Sequence, residues 1–405
     1  MKNKNSILNK ITLNSSGTIF YFFCQWLITV LVVRISGYKD AGILSLIISI
    51  TNIFYFIALF GVRNYQISDV TNKYTDSEYI YLRIITSFIA LLLFLISLFI
   101  LDIDNKTIVC SIAYIFYKLG EAFTDVLFGS LQRYNDYVSI AKSYFYKGIV
   151  SVFGFSIILY LTKDLLVAIL SEVIAYFFII IVYDKKKLSK YFAFKIGKYN
   201  VSPLMKECLP LMFYMLIIPY LNFIMRYVIS TNYSQYTLGG FSSITMFFTI
   251  ASTIMSSIYV SVIPEISRQY NQKQYDKTFQ IIKKIAIFIV ALGIVSIICA
   301  KTIGLTIFTI LFGIKISEFY YLIIPTLVSS IILCFTTFFS SVIIAFGYNN
   351  KVLFYNAISA VTCSITIIPL VNQFGPVGSI YSVSIGLMVT TIMLILTLYR
   401  KLRFN

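Results

Sequence analysis

The sequence predicts an all-α polytopic membrane protein with 12 transmembrane helices arranged as two six-helix lobes. Three observations lead to that fold class. Of the 405 residues, 59% are hydrophobic and only 12% charged, about half the charge of a soluble domain. Apolar runs near 20 residues, the length that crosses a hydrocarbon core, recur from end to end. Basic residues fall between these runs, and mainly in every second connection. A membrane β-barrel would instead show short alternating strands.

The elements follow in order. Ile11–Val33 comes after Lys2, Lys4 and Lys10. It is too long for a signal-peptide core and no small-residue cleavage site follows, so it reads as a retained first span. Ala41–Val62, Ile84–Leu101, Ile108–Leu131, Ser143–Leu161 and Leu165–Tyr183 complete the first six. Leu209–Ile229, Phe241–Ile263, Ile285–Ala300, Tyr320–Phe346, Val352–Val371 and Val377–Leu398 make the second six. Ile303–Ile316 is apolar but short, as interfacial or re-entrant segments are.

Charge supports this count. With the N-terminus inside, the inner connections hold Arg63, Lys73, Arg83, Arg133, Lys142, Lys147, Lys185–Lys187, Lys190, Lys195, Lys198, Lys206, Arg268 and others. The outer side holds Arg34, Lys39, Lys106, Lys163, Arg226, Lys301 and Lys315. Counting the basic tails, this is an inside bias of roughly three to one, which places both termini in the cytoplasm. The inner basic residues therefore read as topology anchors. The longest inner loop sits at the midpoint and divides the chain into residues 1–184, a connection over 185–208, and residues 209–405. The first span exits through Arg34 towards Gly42 and Ser45; the seventh exits through Arg226 towards Gly239, Gly240 and Ser242. An equivalent six-span order in each half is the pattern of parallel repeats, with substrate bound between them.

The net charge of +17 does not indicate nucleic acid, because it is spread among membrane loops rather than gathered on a soluble module. The six cysteines lie in or beside apolar segments and predict buried free thiols. There is no histidine, no Cys-x-x-Cys and no phosphate-binding G-x-x-x-x-G-K-[ST] loop. No nucleophile elbow or metal spacing occurs, so an enzyme is not expected, nor any cofactor beyond a coupling proton or sodium ion.

Charges inside spans carry the functional signal, since each costs a few kcal/mol unless paired or hydrated. Lys118, Glu121 and Asp125 are spaced three and four apart and share one face of the fourth span. Either Lys118 and Glu121 neutralise each other, or the stripe lines a water-filled cavity; Asp125 has no partner on its own helix and favours the cavity. Glu172 in the sixth span reads as a partner for Lys118, as a cavity carboxylate, or as a protonated buried acid. Arg34 and Arg226 read either as snorkelling anchors or as guanidinium forks for phosphate.

With this layout the chain resembles Wzx-type polysaccharide repeat-unit flippases, relatives of the multidrug/toxin extrusion (MATE) transporters in the MOP exporter superfamily. The likeness rests on Val33–Leu46, Phe60–Asp69, Lys118–Asp136 and Val262–Gln272. Tyr38–Lys39 stands where the family has Pro or Glu. The resemblance implies a MATE-like fold in a bacterial inner membrane and a substrate: an oligosaccharide on undecaprenyl diphosphate, moved to the outer leaflet for O-antigen or capsule. It implies Arg34, Lys118 and Arg226 as cations for the diphosphate. Glu121, Asp125 and Glu172 would serve as cavity or coupling carboxylates. Membrane lipid surrounds such a protein, and a polymerase and chain-length regulator work beside it. The alternatives are a drug/cation antiporter of the same fold, whose cationic substrate would want a negative cavity, and a polytopic polysaccharide polymerase, for which a large outer loop is missing.

Overall fold

The computed structural model describes residues 2–69, 71–192, 197 and 199–403, with the side chains at 2–12, 253, 254, 256, 257, 260, 261 and 403 left outside the description. The predicted anchors Lys195 and Lys198 thus lie outside the described residues, as do the side chains of Lys2, Lys4, Lys10 and Arg403. Among those described, no residue is in a strand. The helices are α1 (Lys2–Ser36), α2 (Tyr38–Leu59), α3 (Val62–Ser68), α4 (Asp76–Leu98), α5 (Asn105–Arg133), α6 (Tyr137–Thr162), α7 (Leu165–Ile179) and α8 (Lys185–Leu188). They continue as α9 (Ser202–Asn232), α10 (Gln235–Asn271), α11 (Tyr275–Cys299), α12 (Leu305–Phe312), α13 (Ile323–Ala345), α14 (Asn349–Phe374) and α15 (Pro376–Arg403).

Every predicted span has its helix. Among the described residues, ten helical stretches are long and apolar enough to cross a membrane. The other two spans are α5, which carries Lys118, Glu121 and Asp125, and α10, which opens on Gly239, Gly240, Ser242 and Ser243. Polar side chains set the starts: Asp104, Asp136, Asp164 and Ser234 each accept a hydrogen bond from a first-turn amide. Thr75 and Glu78 close a reciprocal capping box at the start of α4. That cap makes α4 begin at Asp76 rather than Ile84, so Arg83 lies inside the helix.

Two predicted boundaries change for local reasons. The second span breaks at Phe60 and Gly61, both left-handed (φ 49 and 68), and α3 leaves in a new direction. Ile303–Ile316 is not a separate re-entrant piece. A π-turn at Ala300–Gly304 carries α11 on into α12, which ends at Gly313 (φ 88). The Tyr320 hydroxyl donates to the Ala300 carbonyl in that turn. A 3₁₀ stretch, Ile314–Leu322, then leads into α13.

The chain divides into two compact units between Pro219 and Tyr220, inside α9. In the first unit α2 packs on α4 and α5, α5 on α7, and α6 on α1 and α7. In the second, α10 packs on α11 and α13, α13 on α15, and α14 on α15. In span order these are second with third and fourth, fourth with sixth, and fifth with sixth, repeated in each unit. The faint sequence echo therefore corresponds to a repeated helix-pairing scheme. The ends of the first unit are tied by polar contacts that respect the predicted alternation. Lys106 pairs with Asp40 at 2.7 Å at one end, and Lys73 pairs with Glu207 at 2.6 Å at the other.

Replacing Thr75 by Ala removes the capping box and should cost about 1 kcal/mol. Thermal melting of the purified protein reads this as a lower midpoint with unchanged helix content.

Candidate functional site

The site is built on α5. Lys118 and Glu121 form an ion pair, Nζ to Oε2 at 2.7 Å, each side chain 12% exposed. Tyr21 of α1 donates to the other oxygen of Glu121, and its hydroxyl also lies 2.6 Å from that of Tyr117. The Lys118 ammonium stands 5.3–5.6 Å from the ring centres of Tyr55, Tyr114 and Tyr117, within cation–π range. The internal pair is thus real, and a tyrosine shell from three helices surrounds it.

Asp125, without a partner on its own helix, is met from two others. Arg63 of α3 reaches Oδ1 at 3.2 Å and Arg83 of α4 reaches Oδ2 at 2.9 Å. Arg83 is fully buried and also donates to the Ala58 carbonyl, which Thr86 shares at 2.8 Å. Arg63 continues to Gln132 at 3.2 Å. Reading Arg63 and Arg83 as loop anchors is therefore wrong. The break at Phe60–Gly61 turns α3 onto α5, and the early start of α4 puts Arg83 two turns into a helix. Lys147 is a third such case: it is buried and bonds Asp184 at 2.6 Å and Thr124 at 2.9 Å. Its signal was legible, since Lys147 lies within the predicted span Ser143–Leu161.

Glu172 on α7 is buried and takes a long hydrogen bond from Gln25 at 3.4 Å; among the described residues it forms no ion pair with Lys118. Arg34 is exposed in the last turn of α1. Arg226 is half-buried, and its Nη1 is held at 3.1 Å by both the carbonyl and the side-chain oxygen of Asn222, one turn back. Among the described residues it has no carboxylate partner. The structure thus brings Lys118, Glu121, Asp125 and Glu172 into one unit, places Arg34 at the end of a helix of that unit, and leaves Arg226 in the other. The free thiols are buried as predicted except Cys299, which is exposed because it faces outward from α11.

The Phe60–Asp69 and Lys118–Asp136 segments lock together below Asp125. Gln66 is buried and donates to Ser130 at 2.9 Å and to Asp76 at 3.2 Å; Arg133 also reaches Asp76 at 3.2 Å. A Cβ on Gly129 would lie 2.0 Å from the Gln66 side-chain oxygen, so a larger residue there would push the Gln66 amide from its place. In the connection before α4, burial alone would raise the Asp69 carboxyl. The amides of Lys73 and Tyr74, with the Tyr79 and Thr71 hydroxyls, instead hold it below the usual carboxylate range. Between α2, α4 and α9 lies a separate cavity of about 300 Å³, lined by apolar groups of Phe60, Thr86, Leu93, Met205, Met212 and Leu216.

Comparison with known proteins agrees with this layout. The family model described as "Polysaccharide biosynthesis protein" matches residues 7–270. The capsular polysaccharide biosynthesis protein CapF of Staphylococcus aureus is 26% identical over 339 residues, covering 82% of this chain and 84% of that protein. Two solved structures share the fold. A MATE-family multidrug resistance transporter of the MOP superfamily, inward-facing, superposes with a TM-score of 0.74 at 14% identity, over 98% of both chains. The lipid II flippase MurJ, inward closed, gives 0.73 at 13% identity, over 96% of this chain and 87% of MurJ.

The Lys147–Asp184 pair predicts a clean contrast. Lys147→Met strands a buried carboxylate and should destabilise the protein by about 3–5 kcal/mol. Lys147→Met combined with Asp184→Leu should recover most of that, read by thermal melting.

Proposed function

The chain belongs to the polysaccharide biosynthesis protein family, and from that premise we propose that it is a flippase for lipid-linked oligosaccharide. The family, the capsular relative and the likeness to a lipid flippase support that role. The finer reading is that it carries repeat units on undecaprenyl diphosphate from the cytoplasmic to the outer leaflet of a bacterial inner membrane. The observation that carries it is the α5 stripe: three charged side chains within a span, each 12–19% exposed. Charged residues within spans are rare and by default mark a substrate or ion path across the bilayer. A hydrated path lets sugars and diphosphate cross while the prenyl tail stays in lipid.

The roles divide by chemistry. Arg34 and Arg226 offer guanidinium forks to phosphate oxygens. Glu121 and the surrounding tyrosine hydroxyls offer acceptors and donors to sugar hydroxyls. Glu172, buried and held by an amide rather than a cation, is the carboxylate we assign to a coupling proton or sodium ion. The polymerase and chain-length regulator would take over the product on the outer face. An antiporter of cationic drugs fits less well, because both acids of the stripe are already held by cations, Glu121 by Lys118 and Asp125 by Arg63 and Arg83.

Arg226 gives the sharpest test of this reading, because removing it strands no carboxylate and should leave folding intact. In a reconstituted flipping assay, Arg226→Ala should fall about tenfold or more. Arg226→Lys should keep part of the activity, since a point charge replaces a fork. Wild-type flipping by Arg226→Ala at equal protein level returns that residue to snorkelling.

Topology is a separate expectation. Reporters fused after Ser189 and after the C-terminus should both read cytoplasmic. An outside signal at the C-terminus would overturn the twelve-span orientation.

A further inference from the structure

We infer that Arg63, on α3, is a further cation of the first unit, besides Arg34, that receives the anionic headgroup of the carrier lipid, a polyprenyl diphosphate. This rests on the flippase reading above and adds a binding residue that the sequence had placed among the loop anchors.

The argument is one of charge and exposure. Lys118 is neutralised by Glu121 at 2.7 Å, Lys147 by Asp184 at 2.6 Å, and Arg133 by Asp76 at 3.2 Å. Arg63 and Arg83 share a single carboxylate, Asp125. Among the described residues no other carboxylate lies within 4 Å of either guanidinium, so this cluster keeps one net positive charge. The excess is not held at Arg83, which is 0% exposed and bound to the Ala58 carbonyl. It is available at Arg63, which is 19% exposed and touches Asp125 through Nη1, Gln132 through Nη2, and the Tyr144 hydroxyl.

The place suits the chemistry. Asp125 is eight residues before the end of α5, about 12 Å along the helix. A net charge exposed to lipid at that depth would be costly, so the exposed part of Arg63 faces water or a polar ligand. Phosphate oxygens fit a guanidinium that already has planar acceptors on two of its nitrogens and retains donors for more. The diphosphate would supply the counter-charge that the protein leaves out. Lys118, paired and packed among tyrosine rings, does not offer this.

Binding of the carrier tests the assignment. Full-length protein in nanodiscs is titrated with polyprenyl diphosphate, with polyprenol of the same length, and with phosphatidylglycerol as competitor, and bound lipid is read by native mass spectrometry. Wild type should prefer the diphosphate to the alcohol and keep it against phosphatidylglycerol. Arg63→Gln should lose that preference by roughly tenfold to hundredfold. Its melting temperature should hold, because Arg83 and Asp125 remain as a one-to-one pair. Should Arg63→Gln not fold, Arg63→Lys serves, keeping the charge and an intermediate preference. An undiminished preference in Arg63→Gln, or in Arg63→Lys where Gln does not fold, overturns the assignment. So does displacement by phosphatidylglycerol at equal concentration, which would give the site to bulk lipid. Absence of any preference in the wild type would instead sink the flippase reading itself, before Arg63 is in question.

Discussion

The first unit is organised around the bond between Asp125 and two arginines. A carboxylate in the middle of a membrane span must find an opposite charge or water. Here it finds charge from two other helices, α3 and α4, and several local features of the unit serve that arrangement. α2 has to stop at Phe60–Gly61 so that Arg63 can turn inward. α4 has to start early, at the Thr75–Glu78 cap, so that Arg83 reaches membrane depth. Gly129, lacking a side chain, leaves room for the Gln66 amide beside Arg63. Buried charge pairs are weak sources of stability but strong sources of specificity in arrangements like this one, because a misplaced partner leaves a bare charge.

A related constraint makes the Phe60–Asp69 and Lys118–Asp136 segments coherent as a network rather than as strings. Gln66, Asp76, Ser130 and Arg133 come from segments up to 67 positions apart and meet around one carboxylate. Their identities are set by tertiary contacts, not by local spacing. A side chain such as Gln66 reads as an ordinary polar residue near a helix end until α5 is placed against it.

The fold was legible in the sequence for a physical reason. Lipid imposes one rule on every span, so the apolar runs suffice to count helices. The site was legible only where the rule was broken inside a run, at Lys118, Glu121, Asp125 and Glu172. Arg63 and Arg83 escaped because each lies at the edge of an apolar run, where a basic residue is normally an anchor. Whether such a residue points outward or inward depends on where the helix starts and bends. Hydropathy does not see a left-handed pair at Phe60–Gly61 or a cap eight residues upstream of Arg83. Lys147 was legible as a charge within a predicted span, but its partner was not, because Asp184 comes from the π-helical turn Ile180–Asp184 that follows α7.

The two units repeat a helix-pairing scheme without repeating its chemistry. In the first unit, helices are joined by ion pairs at or near full burial. In the second, among the described residues, the one ion pair joins Arg268 and Glu265 on the surface of α10. Its interior is held by neutral bonds: Thr336 with Thr391 at 2.7 Å, Thr366 with Ser382 at 2.8 Å, and Tyr259 to the Cys334 carbonyl at 2.8 Å. Many of its hydroxyls bond carbonyls one turn back on their own helix, as Thr326, Ser330 and Ser341 do. A hydroxyl satisfied on its own helix stays satisfied when that helix shifts, whereas an ion pair between helices does not survive the loss of its geometry. Charge therefore fixes the first unit internally, and the second is free to adjust at lower cost. A fold repeated in this way can differ in compliance between its halves while both carry polar groups.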